Sequence, residues 1–326
     1  MNDELKRYYE EVFAERIRSG CGCVAEHLHP GMGDVLREMH PELLDAPHGS
    51  CSPLPPDLEG RVVLDLGCGN GSTVFAAARL VGPTGRVIGV DMRDELLKVA
   101  QKHLPEHMVK CGYKEPNVDL MKGYPEDLRS LGLADNSIDV VVTNEIINVS
   151  MDKRAFFSEV YRVLKPGGEF CFTTVLADRR LPAHLSKESC VLRAGLGGAM
   201  YSEDFRRLFR EIGWHDYRNI SKQIVPLRKP GAADKVGLAG FTYRVVRTFK
   251  LPLEDICEDY GQVAVYKGTM PGFPEAFPLD DHHLFIKDKP MLVCGNSGAM
   301  VEETRFGRYF EVMGDKSVHY GPFDCS

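Results

Sequence analysis

A short apolar run that leads directly into three closely spaced glycines constrains this chain more than any other feature. Residues 63–71 read VLDLGCGNG, a pattern typical of a buried strand followed by a turn at Gly67, Gly69 and Gly71. Glycine allows such a sharp turn and lets backbone amides approach a ligand. A second apolar run, 87–90, ends in Asp91, which lies 20 residues beyond Gly71. At this distance the next parallel strand presents a carboxylate to ribose hydroxyls, so the motif predicts a nucleotide-binding sheet.

The acid inside the first strand indicates which cofactor the motif holds. Asp65 lies two residues before Gly67. An enzyme that uses S-adenosylmethionine has no pyrophosphate to cradle, but it must hold the charged amino acid end of its cofactor. A carboxylate suits that ammonium group better than it suits a phosphate. We therefore predict an S-adenosylmethionine-dependent methyltransferase, whose cofactor contacts at this edge are Asp65, Gly67, Cys68, Gly69, Asp91 and Met92.

Strand-like and helix-like segments alternate from Arg61 onward, and this order predicts the fold class. Strands separated by helices indicate an α/β protein with a doubly wound, mainly parallel, Rossmann-like sheet covered on both faces. Three parts are predicted: an N-terminal helical cap or lid (1–60), the methyltransferase domain (61–230) and a small C-terminal α+β domain (231–326). The KPGG sequence at 165–168 is expected to end a helix, with glycine as its C-cap.

Composition excludes several classes of function. The 326 residues carry a net charge of −7, and nucleic-acid binding normally requires clustered Lys and Arg. No segment reaches the roughly 18 apolar residues of a membrane span, and the N-terminus, MNDELKR, is too polar for a secretory signal. We expect a cytoplasmic monomer or homodimer that acts on a small molecule, and that binds neither nucleic acid nor membranes.

Two further strand ends are expected to face the same ligand, since ligands bind outside the carboxyl ends of parallel strands. Tyr124, Pro125 and Glu126 follow the third strand, where side chains would contact the adenine. A solvated loop, or a helix N-cap made by Asp127, is the alternative. Asn144 and Glu145 follow the fourth strand, beside the position of a transferable methyl group, and are predicted to be catalytic. Asn144 is also a predicted cofactor contact.

Several runs outside the glycine motif match one known family. They include RYY at 7–9, SPLPP at 52–56, VYRVLKPGGE at 160–169, DRRLP at 178–182 and LGGA at 196–199. With these runs the whole chain resembles the arsenite methyltransferases, which move methyl groups from S-adenosylmethionine to trivalent arsenic bound by cysteine thiols. The resemblance implies that Tyr9 closes over the cofactor, where its ring face can meet the sulfonium charge.

The same resemblance shows where this sequence departs from the family. Glu145 stands where the family has a metalloid-binding cysteine, and Gly195 stands at the second such position, with Cys190 five residues upstream. Trivalent arsenic is soft and is held by two or three thiolates, for which a carboxylate is no substitute. The sequence therefore predicts a divergent member that lacks both core thiols.

The remaining cysteines leave three hypotheses open. Cys21, Cys23 and Cys51 approximate the family's outer thiols and are possible metalloid ligands, whereas no resident metal is predicted. The favoured hypothesis is a repurposed pocket in which Glu145 orients an organic N, O or S nucleophile. The second is an arsenite methyltransferase that uses the three outer thiols, and the third is a non-catalytic cofactor-binding protein. The other cysteines are scattered along the sequence, at positions 68, 111, 171, 190, 257, 294 and 325.

Overall fold

The computed structural model describes residues 32–44, 53–185, 188, 191, 196–225, 237 and 239–325. Its helices are Met32–Arg37 (α1), Pro41–Leu44 (α2), Ser72–Val81 (α3), Asp94–Cys111 (α4), Ile146–Val149 (α5), Lys153–Val163 (α6), Ser202–Ile212 (α7) and Gly295–Glu302 (α8). Short 3-10 turns lie at Arg129–Leu131 and Gly307–Tyr309. No helix within these ranges is long and apolar enough to cross a membrane.

The strands of the first half alternate with these helices. They are Val62–Leu66 (β1), Arg86–Asp91 (β2), Val118–Lys122 (β3), Ile138–Thr143 (β4), Leu164–Ala177 (β5), Met200–Tyr201 (β6) and Arg218–Ile224 (β7). The later strands are Phe241–Phe249 (β8), Glu258–Asp259 (β9), Gln262–Tyr266 (β10), Ala276–Pro278 (β11), Leu284–Ile286 (β12), Pro290–Val293 (β13), Phe310–Met313 (β14) and Gly321–Pro322 (β15).

One large sheet organises the molecule in the order β3-β2-β1-β4-β5-β8-β7, and β6 pairs with β5. Strands β1 to β5 run parallel, whereas β8 is antiparallel to both β5 and β7. The predicted doubly wound, mainly parallel sheet is confirmed. Because chain order reverses at β1, a crevice opens between the carboxyl ends of β1 and β4, where open α/β sheets bind ligands.

Both faces of this sheet are buried, as the continuous apolar runs of its strands require. In β1, Val63 packs into the core that includes α3 and α4, and the next residue, Leu64, packs into the opposite core. Aromatic rings fill that second core, where Phe157 and Phe209 meet edge to face with centroids 4.8 Å apart. Two covered faces hold the strands rigidly, so the strand ends are fixed platforms for side chains.

The C-terminal unit does not begin at residue 231, where the sequence analysis placed its first residue. Strand β8, which the predicted boundary at residue 230 assigned to the C-terminal domain, lies inside the large sheet between β5 and β7. A separate three-stranded sheet, in the order β13-β10-β14, has its own core around Tyr266 and Phe310. The sequence pattern identified β8 as a strand but could not identify its partners, because pairing with β5 is a long-range contact.

A buried ion cluster joins this smaller unit to the large sheet. Glu169 on β5 accepts a hydrogen bond of 2.8 Å from Arg247 on β8, and it also pairs with Arg305, which follows α8. The Glu169 side chain is fully buried. Burial raises the pKa of this carboxyl, but the charges of the two arginines outweigh that effect and hold the pKa below its usual value.

The predicted glycine cap at 165–168 is not what the structure shows. Helix α6 ends at Val163, and β5 begins at the next residue. Gly167 has a φ of +74° and donates its amide to the carbonyl of Lys250 at 2.8 Å. A Cβ at Gly167 would lie 2.7 Å from the carbonyl oxygen of Glu303. This glycine therefore permits close approach of the C-terminal unit rather than ending a helix.

Candidate functional site

The glycine turn after β1 is held by the neighbouring strand. The amides of Gly67 and Cys68 both donate to the carbonyl of Val90, at 2.8 and 3.1 Å. Gly67, Gly69 and Gly71 have φ angles of +78°, +56° and +91°, a region that favours glycine. A Cβ at Gly67 would lie 2.8 Å from Cδ1 of Ile146, so the turn also packs closely against α5.

Asp91, the acid at the end of β2, is bonded directly to this turn. One carboxylate oxygen accepts the Gly69 amide at 2.9 Å, and the other accepts the Arg93 amide at 2.9 Å and the Arg93 Nε at 3.1 Å. The residue is 4% exposed. The carboxylate is thus fixed at the mouth of the glycine turn, where it can accept further hydrogen bonds from hydroxyl groups.

A cleft of about 260 Å³ opens beside these residues. We call it the cofactor cleft, and its lining residues are Gly67, Val90, Asp91, Met92, Gly123, Pro125 and Ile146. Four of them are predicted cofactor contacts. The other three were missed because they are apolar or glycine residues, whose type carries no chemical signal. The cleft lies at the carboxyl ends of β1, β2 and β3, where this fold class binds nucleotides.

Two predicted cofactor residues lie deeper than the cleft surface. Asp65 is fully buried within β1. Cys68 is 5% exposed, and burial raises the pKa of its thiol, with Asp65 and Asp91 adding to the shift. A thiol in this state packs as a small apolar group and is a poor nucleophile.

The predicted adenine-contact segment contains a network that the sequence did not reveal. Ser150 donates its hydroxyl to Glu126 at 2.6 Å, and Lys153 donates to the Ser150 carbonyl at 2.9 Å. Burial lowers the pKa of Lys153 to about 8, against the opposing effect of Glu126. Asp127 accepts the Ser130 amide at 3.2 Å, but the N-cap position of the 3-10 turn is occupied by Leu128.

The end of β4 holds the two residues predicted to be catalytic. The amide of Glu145 donates to the Thr173 hydroxyl at 2.8 Å, and that hydroxyl donates to the side-chain oxygen of Asn144 at 2.5 Å. Glu145 has a φ of +57°, an uncommon conformation for a residue with a side chain. Thr143 adds a bond of 2.7 Å to the carbonyl of Leu66, which ties β4 to β1 at the crevice.

The LGGA run lies directly against this strand end. A Cβ at Gly198 would lie 1.4 Å from the carbonyl oxygen of Asn148, so only glycine fits there. Asn148 is itself fixed, because it donates to the Val175 carbonyl at 2.8 Å and accepts the Val175 amide at 2.9 Å. The turn that follows position 195 in the sequence is thereby packed onto the helix that follows Glu145.

Several predicted positions lie outside the described residues. They are Tyr9, Cys21, Cys23, Cys51, Cys190 and Gly195. The three cysteines 257, 294 and 325, which are scattered in the sequence, come together in the structure, with sulfur atoms within 4.8 Å of one another. Sequence spacing could not indicate this cluster, because its members lie on separate elements of the C-terminal unit.

Comparison with known proteins gives matches over nearly the whole chain. A sequence profile described as a methyltransferase domain matches residues 57–213. The chain is 41% identical to an arsenite methyltransferase of Aquipseudomonas alcaligenes, across 99% of this chain and 94% of that protein. It is 32% identical to an arsenite methyltransferase of Mus musculus, across 79% of this chain and 68% of that protein. The crystal structure of an arsenic(III) S-adenosylmethionine methyltransferase from Chlamydomonas reinhardtii matches with a TM-score of 0.86 and 43% identity, covering 90% of this chain and 99% of that one.

Proposed function

Because the chain belongs to the arsenite methyltransferase family, we propose that it methylates its acceptor beside Asn144 and Glu145, at the edge of the cofactor cleft. The protein is an S-adenosylmethionine-dependent methyltransferase. Which residues hold the cofactor, and which acceptor receives the methyl group, are the subject of the proposal.

The residues that line the cofactor cleft support the proposal that it holds S-adenosylmethionine. A Cβ at Gly67 would lie 2.8 Å from Cδ1 of Ile146. Glycine at this position therefore avoids a clash between two residues that line the cleft. Asp91 lies at the mouth and would accept the ribose hydroxyls, while Pro125 and Met92 offer apolar surface to the adenine. Asp65 would balance the ammonium group from below the turn. When bound, the cofactor supplies a methyl group on a positively charged sulfur, which is a good leaving group.

Positioning then accounts for most of the catalysis that this chain must supply. In-line displacement from a sulfonium needs an aligned acceptor more than it needs a strong base. Asn144 and Glu145 are oriented through one hydroxyl, that of Thr173, which bonds to both residues. These bonds fix the direction of the strand end and therefore the place at which an acceptor meets the donor.

The acceptor that we propose is trivalent arsenic, held by the outer thiols of Cys21, Cys23 and Cys51. The observation that carries this proposal is similarity at 41% and 43% identity, nearly from end to end, to proteins named for arsenic methylation. A soft ion of this kind requires thiolates. Because the core positions hold Glu145 and Gly195, the three outer cysteines are the thiols that the family resemblance assigns to this task.

A second candidate is an organic nucleophile, and the conformation of Glu145 favours it. This carboxylate replaces a thiol in a left-handed backbone position, where φ is +57°. Strained residues of this kind persist mainly where function requires them. Glu145 could act as a general base for an amine, a hydroxyl or a thiol, or it could pair with a cationic substrate.

One assay separates the two candidates. The wild-type protein is incubated with labelled cofactor, arsenite and glutathione, and methylated arsenic is separated and counted. We expect turnover in the wild type, a loss of at least about tenfold in Cys51→Ser, and no change in Cys111→Ser, whose half-buried thiol lies at the end of α4. An inert wild type that gains activity in the double variant Glu145→Cys, Gly195→Cys would overturn the arsenic proposal and support the organic one.

A further inference from the structure

Three thiols converge in the C-terminal unit, well away from the cofactor cleft. The sulfur atoms of Cys257, Cys294 and Cys325 all lie within 4.8 Å of one another. Cys294 is fully buried, and the other two are half-buried. We call these residues the three-thiol cluster. The matched methyltransferase domain ends at residue 213, so none of the three belongs to it.

Three separate segments of the chain build the three-thiol cluster. Strand β15 pairs with β9, so that Gly321 lies opposite Asp259. The pairing continues outward, because the Phe323 amide donates to the carbonyl of Cys257 at 2.8 Å. The tail that carries Cys325 is thereby held beside Cys257. Cys294 is supplied separately, as the residue between β13 and α8.

A buried guanidinium lies against two of the sulfur atoms. Arg218 at the start of β7 places Nη2 at 3.7 Å from Sγ of Cys294 and at 3.9 Å from Sγ of Cys257. The same guanidinium pairs with Asp216 at 2.7 Å and with Asp280 at 3.6 Å. It is 9% exposed, so its charge is poorly screened by water.

These surroundings favour a thiolate at Cys294. The hydrogen bond from Cys257 is the largest effect that lowers the pKa of Cys294, and Arg218 and Ser297 add to it against the opposing effect of burial. Its sulfur also accepts the Ser297 amide at 3.4 Å, at the beginning of α8. The same shared hydrogen bond raises the pKa of Cys257.

A hydrogen-bonded chain leads from that sulfur to a buried carboxylate. The Ser297 hydroxyl lies 3.3 Å from Sγ of Cys294 and 3.3 Å from Nε2 of His283. The other ring nitrogen of His283 lies 2.8 Å from Asp280. This chain links Sγ of Cys294 to Asp280, the same carboxylate that pairs with Arg218.

The donor set selects a soft ion that accepts three ligands. Thiolates prefer soft ions, and, within the described ranges, no histidine nitrogen or carboxylate oxygen joins the three sulfur atoms as a fourth ligand. A closed structural zinc site would have such a fourth protein ligand. Here a guanidinium lies against two of the three sulfur atoms, which disfavours a dication. Trivalent arsenic forms three bonds and leaves its lone pair without a ligand.

We propose that the three-thiol cluster binds trivalent arsenic, supplied as arsenous acid or as its glutathione complex. With arsenous acid, three sulfur–arsenic bonds form, three arsenic–oxygen bonds break, and three water molecules leave. Each departing oxygen takes one proton, from the thiol whose sulfur replaces it or, where that sulfur is already a thiolate, from solvent. From the glutathione complex, three glutathione thiols leave with those protons in place of the three water molecules. Arsenic stays trivalent, so the exchange needs no oxidant or reductant.

The position of this site assigns it a holding role rather than a catalytic one. Strand β7, which carries Arg218, is four strands away from β1 in the sheet, and four spacings amount to about 19 Å. Methyl transfer requires reacting atoms about 3 Å apart. Arsenic in the three-thiol cluster would therefore be stored apart from the methyl donor, whichever acceptor the cofactor cleft serves.

A binding measurement without cofactor tests this proposal independently of turnover. The reduced full-length protein is incubated with excess arsenite and glutathione and desalted, and arsenic per chain is measured by mass spectrometry. We expect Cys257→Ser, Cys294→Ser and Cys325→Ser each to bind about one arsenic atom fewer than the wild type. Cys111→Ser is the matched control and should bind as many as the wild type. Unchanged arsenic content in all three cluster variants would overturn the proposal.

Three further measurements test the proposal without relying on correctly folded variants, and they test whether zinc or a disulfide takes the place of arsenic. Arsenite should protect Cys257 and Cys325 of the unaltered protein from alkylation, as read from their peptides, while Cys111 is alkylated at the same rate with and without arsenite. Equal labelling of the cluster cysteines with and without arsenite contradicts the proposal. So does stoichiometric zinc in the purified protein that is lost in the three variants, and so does a disulfide among the three that survives reduction.

Discussion

The Gly69 amide donates a hydrogen bond of 2.9 Å to the carboxylate of Asp91. Asp91, which would bind the ribose, therefore also stabilises the glycine turn, which would bind the rest of the cofactor. The two halves of the cleft are therefore mechanically coupled, and loss of one side chain disturbs both. This coupling distinguishes the cleft from a set of independent contacts.

Asp91→Ala should weaken cofactor binding in any catalytic interpretation. Loss of a charged hydrogen-bond acceptor costs about 2 kcal/mol, which corresponds to a rise in Kd of roughly 30-fold. Asp119→Ala is the control, because Asp119 lies on the neighbouring strand and pairs with the exposed Arg86 at 2.6 Å. Calorimetry with S-adenosylmethionine and its demethylated product gives both constants. An unchanged Kd in Asp91→Ala would remove the ribose assignment.

Gly67→Ala should reduce cofactor affinity strongly and the free energy of unfolding only moderately. Gly67 and Gly82 have φ angles of +78° and +70°, so an added methyl group costs each about 1 kcal/mol in backbone strain. Only at Gly67 does that methyl group meet a neighbour, Cδ1 of Ile146 at 2.8 Å, whereas Gly82 has open space around it. Thermal unfolding should show a loss of stability in both Gly67→Ala and Gly82→Ala, whereas cofactor affinity should fall only in the first.

A rescue variant sharpens this comparison. Ile146→Val removes the Cδ1 atom that a methyl group at position 67 would contact. Gly67→Ala combined with Ile146→Val should regain part of the lost affinity. If the double variant binds no better than Gly67→Ala, contact with Ile146 is not the cause.

Glu145→Gly should make the protein more stable and less active. The side chain of Glu145 is held at φ +57°, and glycine relieves a strain of about 1 kcal/mol there. Asn136→Gly is the control, because Asn136 has a φ of +54° on an exposed turn outside the cleft. It should gain less stability, since asparagine tolerates this conformation, and it should keep its turnover. Full methyl transfer by Glu145→Gly would exclude a role for the carboxylate.

Lys153→Met should change how stability depends on pH in the alkaline range. Burial lowers the pKa of Lys153 from 10.5 to about 8. Between these values the unfolded chain holds a proton that the folded chain has lost, so the wild type gains stability as pH rises, by about 3 kcal/mol in all. Urea unfolding at pH 7.5 to 10.5 should show that gain in the wild type and a flatter curve in Lys153→Met. Parallel curves would contradict the burial of this ammonium group.

Glu169→Gln should strongly destabilise the whole protein. The substitution leaves Arg247 and Arg305 buried without their shared carboxylate, a situation that costs about 3 to 5 kcal/mol. Because the pKa of Glu169 is lowered in the fold, its contribution is complete at neutral pH and is lost as acid protonates the carboxyl. The variant should therefore unfold at lower urea concentration at pH 7, with the difference shrinking towards acid pH. Glu303→Gln, at an exposed position nearby, should leave the transition unchanged.

Local patterns were sufficient to predict the strands that carry the cleft, and long-range contacts were not predictable. Strand β1 occupies the position that its apolar run indicated. The role of Thr173, which organises the end of β4 from the neighbouring strand, depends on the register between two strands. No sequence period encodes that register.

The cysteines show most clearly the difference between local patterns, which the sequence predicts, and long-range contacts, which it does not. Cys68 packs as a small buried residue within the glycine turn, next to the strand that precedes it in the sequence. The three-thiol cluster could not be recognised, because 37 residues separate Cys257 from Cys294 and 31 more separate Cys294 from Cys325. Their meeting requires β9 to pair with β15 and α8 to begin beside Arg218. Spacing rules for metal-binding cysteines apply to single hairpins and helices, not to ligands assembled from distant segments.

The place of β8 between β5 and β7 has a consequence for biosynthesis. When the ribosome has made β5, the sheet still ends in an open edge, because the partner of that edge comes only with residues 241–249. At roughly 5–20 residues per second this edge waits for several seconds. An unpaired strand edge is a template for aggregation. Nascent chains that stall or terminate before Phe249 should therefore be substrates for chaperones, and yield in a cell should depend on how quickly translation passes that point.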